Sequence, residues 1–248
     1  MISWLSNATF EAWVSWNGPV DSDWQRVWDF GFNDKGRNAS GFGTNYIIFS
    51  PSRGGTRLMG FEETIANPFG TELDPNAVIL YGNNQMPIGQ EIYIALTYDP
   101  LNGSSSLYLN GNFVSSTNRT LNPLKNFTDY NNWLGRSQWE RDPFYNGQYD
   151  EFRIWDGVLS AQDIANHYAA GPDEQFAFIR PTLFVTRASN EIVVSWYTNH
   201  ADGFQLQSSP SLIAPNWQTV TNTSSFTNGA SQVKVPAIGA AGYYRLKQ

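Results

Sequence analysis

Between Gly135 and Tyr145 the chain reads GRSQWERDPFY, a run that gathers several groups able to hold a ligand. Sugars are gripped by aromatic rings against their C–H faces and by donors and acceptors that meet their hydroxyls. Arg136, Gln138, Trp139 and Tyr145 offer that combination, and Trp24 in WQRVWDFGF adds a further ring. These five are the predicted ligand-binding residues. The same region carries carboxylates. A hard cation such as calcium takes several oxygen ligands, and Asp142, Asp150 and Glu140 are the candidates for a single calcium ion. Asp150 falls in phase with Phe152 and Ile154 on an alternating strand, so it is expected at the rim of the core face. A carboxylate there needs a partner, either a metal or the N–H donors of a neighbouring loop.

Catalytic chemistry finds less support. Glu11 and Glu151 are expected on one face of neighbouring strands, and glycoside hydrolysis uses two carboxyls at a set separation. Arg153, two residues from Glu151, would hold that carboxylate ionised, the wrong state for a general acid. An ion pair between Glu11 and Arg153 is the expectation instead. Asp29, in phase with Val27, is predicted to accept hydrogen bonds from backbone donors near the core. His167 and His200 stand apart in the sequence and form no metal triad, and no nucleophile elbow, P-loop or dinucleotide fingerprint occurs. The chain has no cysteine, which removes disulfide and thiolate–metal chemistry. A formal charge of −7 argues against nucleic acid and anionic membranes as partners. No apolar run reaches the ~20 residues that span a bilayer.

The elements that must position these groups are strands. Aromatic residues make up 15% of the chain and charged residues only 15%, with abundant Gly and Asn, a mix that predicts all-β structure rich in turns. Strands are expected at Thr9–Trp16, Trp24–Phe32, Tyr46–Ser50, Thr56–Phe61, Ala77–Tyr81, Glu91–Tyr98, Ser105–Leu109, Asn112–Ser116 and Gln148–Trp155. Asn110-Gly111 predicts a two-residue type I′ hairpin, since both positions require positive φ. Ser160, with Asp163 three positions on and Gly171-Pro172 at the far end, predicts a short capped helix that docks through Ile164 and Tyr168. Pro172-Asp173-Glu174 marks a boundary, dividing the chain into domains 1–172 and 173–248. Beyond it, strands are expected at Leu183–Thr186, Ile192–Trp196, Phe204–Ser208, Trp217–Val220, Val233–Val235 and Tyr243–Leu246, the pattern of a small immunoglobulin- or fibronectin-like sandwich.

TFEAWV, IYIALTYDPLNGSSSLYLNG, WLGRSQ and NGQYDEFRIWDGVLSAQDI follow one another in an order that resembles the laminin-G-like and pentraxin-like branch of the concanavalin A-like lectin/glucanase superfamily. The resemblance covers roughly Thr9 to Gly171. It implies an antiparallel jelly-roll sandwich closed by one short C-terminal helix. Pentraxins bind calcium and ligand through the corresponding loop, but Ser137 and Trp139 stand where carboxylates would be expected and only Gln138 matches. The glucanases' alternating E-x-D-x-x-E strand is missing too. Members of the family carry another strand or two before TFEAWV, so the natural start, with a signal peptide, is expected upstream of Met1. The second domain, through VSW, FQLQSSPSL, NWQTV and YYRL, is similar to a C-terminal module of secreted bacterial proteins. Together these imply a non-catalytic carbohydrate-binding module of a secreted or cell-surface protein, with a polysaccharide or glycan as partner and further domains on a larger polypeptide. The alternative is a structural or adhesive spacer or protein-binding module without glycan binding, with a glycoside hydrolase the least favoured reading.

Overall fold

The computed structural model describes residues 1–19, 21–66, 74–174, 182–197, 204–227, 230–237 and 242–247. The chain divides into two compact units, Met1–Phe176 and Ala177–Gln248. In the first, strands run in the order β1 (Ala8–Trp16), β2 (Trp28–Asn33), β3 (Gly43–Ser50), β4 (Gly60–Thr64), β5 (Val78–Tyr81), β6 (Glu91–Asp99), β7 (Ser104–Leu109), β8 (Asn112–Asn118), β9 (Asn131–Leu134) and β10 (Gly147–Trp155). They form two five-stranded antiparallel sheets, β10-β1-β6-β7-β8 and β5-β4-β3-β2-β9.

Alternation sorts the side chains between the two faces of each strand. Phe10, Ala12, Val14 and Trp16 of β1 enter the inter-sheet core with Trp28 and Phe30 of β2, and Ile47 and Phe49 of β3. Phe10 stacks on Trp28 with ring centroids 6.0 Å apart. Each large apolar side chain taken fully out of water here contributes roughly 1.5–3 kcal/mol. The outer face of β1 is covered as well, because α1 (Ala161–Ala170) lies over Trp13, Tyr93 and Ala95 through Ile164. Ser160 closes the predicted capping box with Asp163, and Tyr168 stacks on Trp13 at 5.6 Å. The hairpin at Asn110-Gly111 has φ of 48° and 73°, as its two residue types require.

Three departures from expectation have a backbone cause. β2 begins at Trp28 rather than Trp24, because Trp24 adopts φ 65° and turns the chain out of the extended path. β4 begins at Gly60, after a turn in which Arg57 also has positive φ. In β10 the register with β1 shifts between Trp13 and Val14, which pair with Glu151 and Tyr149 and leave Asp150 as the extra residue. A bulge of this kind interrupts the two-residue period. Tyr149, Phe152 and Ile154 therefore reach the core while Asp150 is exposed. The short strand β9 was not expected from the sequence.

The second unit contains β11 (Phe184–Ala188), β12 (Glu191–Tyr197), β13 (Gln205–Ser209), β14 (Gln218–Thr219), β15 (Ser224–Thr227), β16 (Ala230–Pro236) and β17 (Tyr243–Lys247). All six expected strands are present, and β15 is additional. They pair as β11-β12-β16-β15 and β14-β13-β17, around a core of Val194, Trp196, Leu206, Val233 and Val235. His200 lies outside the described residues.

Candidate functional site

With Trp28, Phe30, Ile47, Phe49 and Phe61 turned inward, β2, β3 and β4 present Asp29, Tyr46, Ile48 and Glu62 on the opposite face. A cavity of about 340 Å³ lies over this face, walled by Trp24 and Trp139 with Phe42 at its mouth. Both tryptophans are seated on glycines. A Cβ at Gly43 would lie 2.4 Å from Trp139 Cη2, and one at Gly54 would lie 2.3 Å from Trp24 Nε1. Trp139 also meets Tyr46 edge to face, with centroids 4.7 Å apart.

Two arginines occupy the space around the rings. The Arg26 guanidinium lies 5.3 Å from the Trp24 ring and 5.4 Å from the Trp139 ring, and donates to Asp142 Oδ2 at 2.7 Å. Arg53 sits over Trp24 and Tyr81, 5.1 Å from each, and pairs with Glu62 Oε2. The other oxygen of Glu62 accepts from the Tyr46 hydroxyl at 2.7 Å. Cation, ring and carboxylate thus alternate across the cleft, and each carboxylate at its wall is matched by a guanidinium. Burial, and Glu62 beside it, push the Tyr46 phenol far above its ordinary range, so it stays a donor. Burial also raises Asp142, against the pull of Arg26 and Ser137. Beneath them Asp29 is fully buried and pushed up to about 7 by desolvation, with Arg26 opposing.

The loop after β9 is held by its own polar groups. Ser137 Oγ donates to Asp142 Oδ2 at 2.7 Å and accepts from Trp139 N at 3.1 Å. Gln138 is fully buried. Its Oε1 accepts from Asn33 at 2.8 Å and Asn131 at 3.1 Å, its Nε2 donates to Asn131 O, and its backbone N–H donates to Asp29 Oδ2 at 2.9 Å. The expected backbone donor for Asp29 is therefore found, but Gln138 is a clamp with no group turned to a ligand.

Of the other predicted ligand residues, Trp24 and Trp139 are in the cleft. Arg136 lines an adjoining hollow of about 280 Å³ with Ser40, Glu140 and Phe144, and lies 4.0 Å from the Trp133 ring. Tyr145 is a strut: its hydroxyl donates to Ser15 O at 2.9 Å and its ring packs on the core. Arg26, Tyr46, Arg53 and Glu62 were missed. The apolar run Tyr46–Phe49 has no polar member to set its phase, and Arg53 lies in a turn far from the loop in sequence. The expected calcium set is dispersed. Asp142 is engaged by Arg26 and Ser137, Glu140 is exposed, and bulged Asp150 sits against Glu91, where the hydrogen bond between the two carboxyls raises Glu91. Among the described residues no three His, Asp or Glu side chains converge to hold a metal.

The other sheet's outer face holds Glu11 beneath α1. Glu11 and Arg153 are register partners, but Glu11 accepts from Tyr93, from Trp155 Nε1 at 2.5 Å and from His167 Nδ1 at 2.8 Å. Arg153 reaches Glu151 at 2.9 Å and the carbonyls of Pro172 and Glu174. His167 is thus not isolated: the helix brings it to a carboxylate far away in sequence. Glu11, Tyr93 and His167 are buried, and the Glu11–His167 contact fastens the helix to the sheet.

Comparison with solved structures finds the same fold in lectin-like and sialidase chains. The CBM40 of Ruminococcus gnavus IT-sialidase, bound to α2,3-sialyllactose, is 14% identical with a TM-score of 0.52, covering 65% of this chain and 82% of that one. The leech intramolecular trans-sialidase complexed with 2,7-anhydro-Neu5Ac is 11% identical with a TM-score of 0.51, over 79% of this chain and 30% of that one. The NanB sialidase of Streptococcus pneumoniae is 16% identical with a TM-score of 0.52, over 79% and 30%. No curated protein matches the sequence. A family model described as the concanavalin A-like lectin/glucanases superfamily matches residues 2–165, which span both sheets of the first unit and the cleft. On that match, the chain belongs to the concanavalin A-like lectin/glucanases superfamily.

Proposed function

We propose that the first unit is a non-catalytic carbohydrate-binding module of a secreted or cell-surface protein, and that the glycan sits in the cleft between Trp24 and Trp139. The observation that carries this reading is the cleft itself: two ring walls alternate with the Arg26–Asp142 and Arg53–Glu62 pairs, matching a sugar's apolar faces and hydroxyls. The non-catalytic reading rests on the engagement of both wall carboxylates, Asp142 by Arg26 and Ser137 and Glu62 by Arg53 and Tyr46, which leaves neither free to act on a substrate. No helix among the described residues is long and apolar enough to cross a membrane. The second unit, read as an immunoglobulin- or fibronectin-like sandwich, serves as a spacer to further domains.

Two R. gnavus CBM40 structures were solved with sialyllactoses, which makes α2,3- and α2,6-sialyllactose natural first probes beside neutral plant and algal polysaccharides. Glycan-array retention that is lost in Trp139→Ala supports the proposal. Retention by none of these glycans, or equal retention by the variant, leaves the spacer reading in its place.

A further inference from the structure

The inter-sheet core contains one carboxylate cluster that the cleft does not use. Glu63 of β4 alternates with Glu62 and shares the inward face with Phe61, so its side chain enters the sandwich and is fully buried. Asn122, 1% exposed, donates from Nδ2 to Glu63 Oε2 at 2.9 Å and to Asp74 Oδ2 at 2.7 Å. The Tyr98 hydroxyl gives its single hydrogen to the carbonyl of Asn122 at 2.8 Å. Glu63 Oε1 and Asn122 Oδ1 are consequently buried without any hydrogen-bond partner. Such oxygens are rare in folded proteins, because each forfeits its hydration without replacement. The cluster also carries two carboxyl groups, and no ion pair to either exists among the described residues.

We propose that Glu63, Asp74 and Asn122 form a site for one divalent hard cation, of which calcium is the best fit. Two buried unpartnered oxygens, two carboxyl groups and a donor set rich in oxygen are what such an ion requires. Asp74 is only half-buried, so one carboxyl of the cluster is reached by solvent. Asp74 Oδ1 and Oδ2 are already oriented by the amides of Asn76 and Ile65, each at 2.9 Å. The site joins β4, the segment before β5 and the segment after β8, so a bound ion would tie the two sheets together at that end. It lies apart from the glycan cleft and does not depend on the carbohydrate reading.

Terbium luminescence on the full chain tests this, using terbium alone as probe, with Tyr98 as the nearby sensitiser, and calcium as competitor. Sensitised emission that calcium displaces is expected for the wild type. Glu63→Gln and Asp74→Asn should weaken terbium and calcium at least tenfold, while Asp150→Asn binds as wild type. For a Kd near ~0.1 mM, 10 mM calcium raises the folded-to-unfolded ratio about 100-fold and Tm by roughly 5–10 °C relative to EDTA. No emission from the wild type, or an undiminished calcium shift in both variants, overturns the proposal. Should Glu63→Gln fail to fold, the half-exposed Asp74→Asn variant carries the test. A wild type whose Tm is indifferent to calcium likewise overturns the proposal.

Discussion

Gly43→Ala adds a single methyl group and removes no polar contact, yet it should empty the seat of Trp139. The new Cβ would stand 2.4, 2.6 and 2.7 Å from three atoms of the indole ring. Carbon atoms that are not bonded rest at ≈3.5–4.0 Å, so the rigid ring must move by about 1 Å or more. Movement disturbs the edge-to-face contact with Tyr46 and the Arg26 guanidinium over the ring. Contacts of these kinds are worth about 0.5–1.5 and 0.5–1 kcal/mol respectively, and overpacking typically costs 1–3 kcal/mol. We expect Tm to fall by roughly 2–10 °C and tryptophan emission to shift as the indole gains water. For any glycan the wild type retains, loss of about 1.4 kcal/mol of ring contact raises Kd tenfold. Calorimetry, emission spectra and a glycan titration of the same two proteins read all three. If Gly43→Ala keeps the wild-type Tm, emission and Kd, then Trp139 does not rest on Gly43 and the cleft is not walled as described.

Asp29 makes the first unit sensitive to pH. Its folded pKa is raised from 3.8 to about 7, so its contribution to stability is full below about 3.8 and is lost as pH rises through about 7. The loss is at most about 4 kcal/mol, and a Tm series from pH 4 to 9 should show a slope that Asp29→Asn flattens. A slope unchanged in that variant would assign the effect elsewhere. Ser160→Ala removes the acceptor for Asp163 N, 3.1 Å away. The lost cap should cost about 1 kcal/mol in urea unfolding. Glu11→Ala leaves Tyr93, Trp155 and His167 without their buried acceptor, and we expect a loss of at least ~3 kcal/mol in urea unfolding; a loss under ~1 kcal/mol would show the helix is held by packing alone.

Local rules read much of this chain directly. Alternation in TFEAWVSW placed Phe10, Ala12, Val14 and Trp16 on one face, the Asn110-Gly111 pair specified its turn, and Ser160 with Asp163 set the start of the helix. Each depends on neighbours a few residues apart, so the linear order of side chains holds the necessary information. Local rules fail where the backbone leaves its period. Positive φ at Trp24 and Arg57 moved two strand starts, and one extra residue at Asp150 turned a predicted core-facing carboxylate to solvent. The site was legible in part for the same reason. Trp24, Trp139 and Arg136 could be picked out as residue types suited to a sugar, whereas Arg26, Tyr46, Arg53 and Glu62 joined them only when β3 paired with β4 and the loop after β9 folded across the sheet. His167 beside Glu11, and Asn122 between Glu63 and Asp74, arise in the same way from segments far apart along the chain. By itself, then, the sequence determined the all-β class, the hairpins, the capped helix and the supply of aromatic groups. Which side chains meet was decided by tertiary structure alone, because strand pairing and sheet stacking act between residues whose separation in sequence carries no signal of their distance in space.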